Sequence, residues 1–126
     1  VHCCADAAPL TVLAKAGARA VAVDLARVGP GQYDDYAALL DQGIGLWLGV
    51  VPATEPDPVP RDGDLTRRVQ RLLEDLGVDP DAAGTRCVVT PACGLAGGSA
   101  EWARRALRLA GLVARHLSAA DGRMTP

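Results

Sequence analysis

The sequence predicts an α/β fold built on a parallel sheet, and three observations predict it. Short runs at Ala20–Val23, Ile44–Val51 and Cys87–Thr90 carry no charged residue and no strict polar alternation, as strands covered on both faces do. The segments between them repeat apolar residues at helical spacing. Glycine or proline punctuates the joins. The resulting order is strand end, helix, strand, helix, strand, helix, strand, helix, which implies parallel strands under a cover of helices. Four such βα units amount to half of an eight-stranded (β/α)8 barrel.

Each element has its own justification. Val1 reads as the last residue of a strand leading into His2-Cys3-Cys4. Ala8 to Ala16 follows as a helix, with Pro9 in its first turn and Gly17 as its stop. The strand Ala20–Val23 ends at Asp24, and Gly29-Pro30-Gly31 is a loop. Tyr33 to Asp41 forms a short helix with Tyr36, Leu39 and Leu40 on one side, stopped by Gly43. Ile44 to Val51 is a strand apolar on both faces, ended by Pro52. Four prolines in the nine residues from Pro52 to Pro60 mark an irregular loop. Leu65, Val69, Leu72, Leu73 and Leu76 then define a helix, capped at Asp62 or Asp64 and closed before Gly77. A connection through Asp79-Pro80-Asp81 leads to Cys87–Thr90. Ser99 caps a final helix whose apolar stripe is Trp102, Ala106, Leu109, Val113 and Leu117, and the tail from Asp121 to Pro126 is expected to fray.

Composition bounds the function. The chain has 126 residues, enough for a single domain over residues 1–126 and too few for two. With two Trp, two Tyr and no Phe, its core has to be built from Ala, Leu and Val. A formal charge of -2 offers no footprint for nucleic acid or an anionic membrane. No apolar run approaches the roughly 20 residues of a membrane span, and no basic, apolar and small-residue leader is present. The expectation is a soluble cytoplasmic protein with reduced thiols. The start at Val1, without an initiator Met and read as a strand end, leads to the expectation of a fragment. A half barrel leaves two open sheet edges, so a missing N-terminal barrel half or a homo-oligomer is expected to complete it.

Ligands and catalytic groups gather at the carboxyl ends of strands in such folds. His2 and Cys4 follow the first strand, Asp24 the second and Cys93 the fourth, so all four share one rim. In extended backbone His2 and Cys4 project to the same side. One imidazole, two thiolates and a carboxylate suit tetrahedral Zn2+. Each residue also has a plainer reading: Asp24 as a cap or loop hydrogen-bonder, Cys93 as a small buried residue. Cys3 and Cys87 read as core thiols, His116 as a surface or packing residue, and the arginines at 67, 68, 71, 104, 105 and 108 as solvated helix faces. Gly94-Leu95-Ala96-Gly97-Gly98 reads as a flexible turn, or as an anion cradle at a helix start.

His2-Cys3-Cys4 and Pro91-Ala92-Cys93-Gly94-Leu95 resemble the zinc motifs of the catalytic C-terminal barrel of the cobalamin-independent methionine synthase family. The final helix with Trp102 is similar to that family's last helix. The resemblance runs over the whole chain and covers the second half of a TIM-type barrel. It implies a zinc-dependent methyltransferase that carries a methyl group to a homocysteine-like thiol, forming methionine. It also implies His2, Cys4 and Cys93 as zinc ligands, with Asp24 standing where the family has Glu. Two departures accompany it. Asp24 is one methylene shorter than glutamate, and Gly49-Val50-Val51-Pro52-Ala53 holds no histidine where the family carries its proposed proton donor to a folate. A corrinoid methyl donor fits the second departure. Two other classes compete: a non-catalytic or degenerate barrel module, and a barrel of the uroporphyrinogen decarboxylase type working without metal.

Overall fold

Four parallel strands in sequential order, β1 (His2–Cys3), β2 (Ala20–Asp24), β3 (Gly45–Val51) and β4 (Cys87–Pro91), form one sheet. Between and after them run α1 (Leu10–Lys15), α2 (Tyr33–Asp41), α3 (Asp62–Asp75) and α4 (Ala100–Ala120). This computed structural model describes residues 1–79, 83–84 and 86–120. The expected linker residues Pro80 and Asp81, and the tail from Asp121, lie outside the described residues.

Register divides the side chains between two faces. His2 lies beside Ala22, Ala22 beside Trp47, and Trp47 beside Val88, so these four form one cross-strand row. The alternate residues Val21, Val23, Leu46 and Leu48 are buried in the core, where Leu39, Leu65, Val69, Trp102 and Val113 from the helices meet them. Parallel strands joined in sequential order by right-handed crossovers carry their helices on one side. The opposite face is therefore the thinly covered one, and Trp47 and Val88 on it are each 45 % exposed. The expectation that β3 is apolar on both faces holds in residue type. Burial on both faces does not follow among the described residues.

Most expected elements stand where the sequence puts them, with three local differences. The first strand takes in His2 and Cys3 instead of ending at Val1, because His2 and Cys3 pair with Ala22 and Val23, so only Cys4 follows it. The first helix begins at Leu10 rather than Ala8, because Pro9 holds the preceding residue away from helical backbone. Ala7 adopts φ 51, turning the chain before the helix begins. In α3 neither Asp62 nor Asp64 is the cap. Arg61 occupies that position without a side-chain hydrogen bond, and both carboxylates sit in the first turn, facing the positive end of the helix dipole. Asp62 accepts instead from His116 Nε2 at 2.7 Å, tying the start of α3 to the end of α4. That contact holds the Asp62 carboxyl below the usual carboxylate range. Ser99 caps α4 as expected, its Oγ accepting from the Trp102 N–H at 3.0 Å. Cys3 and Cys87 pack against the core, and burial pushes the Cys87 thiol up to about 11.

Candidate metal centre

The carboxyl ends of the strands are shaped by a glycine and an indole. A Cβ on Gly49 would lie 2.5 Å from the Val23 carbonyl oxygen and 2.7 Å from the Ala92 Cα. Only glycine lets the backbones of β2, β3 and the turn after β4 approach so closely. A register shift between Gly49 and Val51 bends β3 there. The Ala92 N–H then donates to the Val51 carbonyl at 2.8 Å, which seats the turn that carries Cys93. Trp102, buried in the core, donates from Nε1 to the Pro52 carbonyl at 3.1 Å and so ties α4 to the end of β3.

The ligand atoms of His2, Cys4 and Cys93 all lie within 4.8 Å of one another. Cys4 and Cys93 come from the loops after β1 and β4, and His2 from β1 itself, so the three donors belong to the two edges of the sheet. Neighbouring strands are about 4.8 Å apart, so the edges of a flat four-stranded sheet would stand about 14 Å apart. The two ends therefore lean toward each other over the face that carries Ala22 and Trp47. All three side chains belong to exposed residues. A hydrogen bond with Cys93, and the charge a Cys93 thiolate carries, push the Cys4 thiol above its ordinary value; the Arg27 guanidinium acts in the opposite sense.

Asp24 is placed differently. The register sets it two residues beyond Ala22, on the face of His2 and at the rim. Its carboxylate accepts from the Ala26 N–H at 3.0 Å and pairs with Arg27 at 3.6 Å, and it does not belong to the group within 4.8 Å. This is the plainer of its two sequence readings, a cap on the short 3-10 turn Leu25–Arg27. Aspartate's short side chain keeps the carboxylate close to its own backbone, where that bond is made.

Sequence reasoning passed over Arg27. It donates to Asp6 Oδ1 at 3.0 Å while pairing with Asp24, so it links the loop after β1 to the end of β2 beside Cys4. The Asp24-x-x-Arg27 spacing just after a strand was the available signal. Gly94 to Gly98 folds as a short 3-10 turn over Leu95–Gly97 that leads to the Ser99 cap. His116 is spent on Asp62 and does not belong to the group within 4.8 Å.

Two thiols and an imidazole at this spacing fit a tetrahedral thiophilic cation. Sulfur at about 2.3 Å from zinc puts two sulfurs about 3.8 Å apart, inside the 4.8 Å span of the three donors. No helix among the described residues is long and apolar enough to cross a membrane. Comparison with protein-family models, with curated proteins and with solved structures finds no match for this chain.

Proposed function

We propose that the chain is the zinc-holding half of a (β/α)8 barrel methyltransferase that delivers a methyl group to a small, homocysteine-like thiol. The observation that carries this reading is the convergence of His2, Cys4 and Cys93 from opposite edges of the sheet onto one point. Three donors leave one tetrahedral position open, the pattern of catalytic rather than structural zinc. Zinc held by thiolates supplies Lewis acidity that brings a thiol to its nucleophilic form near neutral pH.

The chain's own residues do the rest. Arg27 anchors the Cys4 loop to the end of β2 through Asp6 and Asp24. Gly49 and the Ala92 N–H bond to Val51 seat the Cys93 turn against β3, and Trp102 ties α4 to the end of that strand. Asp24, engaged with Ala26 and Arg27, contributes through this anchoring and not as a direct ligand. The methyl donor is a methylated folate or corrinoid. Since Gly49-Val50-Val51-Pro52-Ala53 offers no histidine to donate a proton to a folate, a corrinoid donor would suit the chain better. Sequential parallel strands, two open edges and the exposed Trp47 and Val88 support a barrel completed by further βα units or a second copy. Accessible thiol donors suit a reducing compartment, and the cytoplasm is the location this reading proposes.

The test is zinc content by elemental analysis, on the parent chain and on Cys93→Ser. One zinc per chain in the parent and little in the variant is expected, followed by methyl transfer to homocysteine with the barrel complete. Equal metal content in the two proteins would overturn the reading.

A further inference from the structure

We infer that Cys4 and Cys93 are a redox modification site, joined reversibly in a disulfide that binds the two edges of the sheet together. Four cysteines are present, all as free thiols, and they divide cleanly. Cys3 and Cys87 lie in strands beside Val23 and Leu46 and pack into the core. Cys4 and Cys93 are exposed, with sulfur atoms inside the 4.8 Å group.

Both sit just beyond a strand end, Cys4 past Cys3 and Cys93 two residues past Pro91. Reaching the bonded distance of about 2 Å therefore displaces loop backbone and leaves the sheet ladder in place. A structural thiol pair would be buried away from oxidants, and this pair faces solvent. The loop that follows Cys4 includes Ala7 at φ 51, a left-handed backbone that non-glycine residues adopt at a cost.

The oxidant is a peroxide. One thiolate attacks it, the O–O bond breaks, and sulfenic acid and hydroxide form. The second thiolate then displaces hydroxide from the sulfenic sulfur to close the S–S bond. With the two thiol protons, both hydroxides leave as water. Two electrons pass from the sulfurs to the peroxide, and a thiol reductant reverses the change by exchange. The disulfide closes a loop from one end of the fold to the other and removes two of the three donors at the rim, so oxidation and metal binding exclude each other.

The experiment reduces the purified chain, removes metal with a chelator, and adds a small excess of hydrogen peroxide. Free thiols are then counted, and tryptic peptides are mapped without reduction. The expected result is a fall from four titratable thiols to two, with a cross-link between the peptide ending at Lys15 and the peptide Cys87–Arg104. Cys3→Ser and Cys87→Ser should keep the cross-link, and Cys4→Ser and Cys93→Ser should lose it. Persistence of four thiols in the parent, or a cross-link that needs Cys3 or Cys87, would overturn the inference. A zinc-loaded arm separates it from the proposed function. Protection of at least tenfold in rate supports both, and cross-linking at one rate with or without zinc keeps the disulfide while removing the metal reading.

Discussion

Gly49→Ala is the substitution that most directly joins fold to site. Its Cβ would stand 2.5 Å from the Val23 carbonyl oxygen, 2.7 Å from the Ala92 Cα and 3.1 Å from the Pro91 carbonyl oxygen, all backbone atoms. Carbon atoms pack at about 3.5 Å, so the Ala92 backbone would have to retreat by about 0.8 Å. No side-chain rotation relieves this, because the neighbours are two strands and the turn that follows one of them. Overpacking of this kind costs roughly 1–3 kcal/mol, and backbone contacts place Gly49→Ala near the upper end. The retreat displaces Cys93, the next residue after Ala92, from its place beside Cys4 and His2. Disturbing the support of a metal ligand typically lowers affinity about 10–100-fold. Urea denaturation should therefore show a loss of about 3 kcal/mol, and cobalt(II) titration should show weakened thiolate charge-transfer bands. Parent-like stability together with parent-like cobalt affinity would refute the reasoning that Gly49 holds the rim together.

Ser99→Ala removes the acceptor for the Trp102 N–H and should cost about 1 kcal/mol, read as a lower thermal midpoint with the metal site unchanged. Cys87, with its thiol pushed up to about 11 by burial, should react with iodoacetamide at pH 8 far more slowly than Cys93, as peptide mapping will report. Because that folded value is raised, the stability it represents is full below the unfolded thiol's range and is lost as pH climbs toward 11; Cys87→Ala should flatten this alkaline fall. Asp62 behaves in the opposite sense. Its carboxyl is held low by His116, so its contribution is present above the ordinary carboxylate range and fades as pH falls through the folded value. Thermal midpoints of parent and Asp62→Asn should converge at the acid end and separate toward neutral pH.

The local elements of this protein are legible in its residues because they depend on near neighbours in the chain. Tyr36, Leu39 and Leu40 specify α2 by spacing, and helix, strand and cap follow at Tyr33–Asp41, Ala20–Asp24 and Ser99. The alternation of strands and helices also carried the parallel order of the sheet. Much of the site was visible too, since His2 and Cys4 share a side by backbone geometry alone and the strand-end rim with the family resemblance adds Cys93 to them.

Bonding reach between remote residues was legible only in part, since the sequence reading set Asp24 in one ligand group with His2, Cys4 and Cys93. That Cys93 meets Cys4, while Asp24 turns to Ala26 and Arg27, depends on sub-ångström fits such as the Gly49 contact with Ala92. The same holds for His116, whose partner Asp62 lies on another helix 54 positions away. Sequence sets what each residue can do chemically and which way a strand or helix presents it. Only the packed backbone decides which of those capacities come within bonding reach, because that depends on the curvature of the whole sheet.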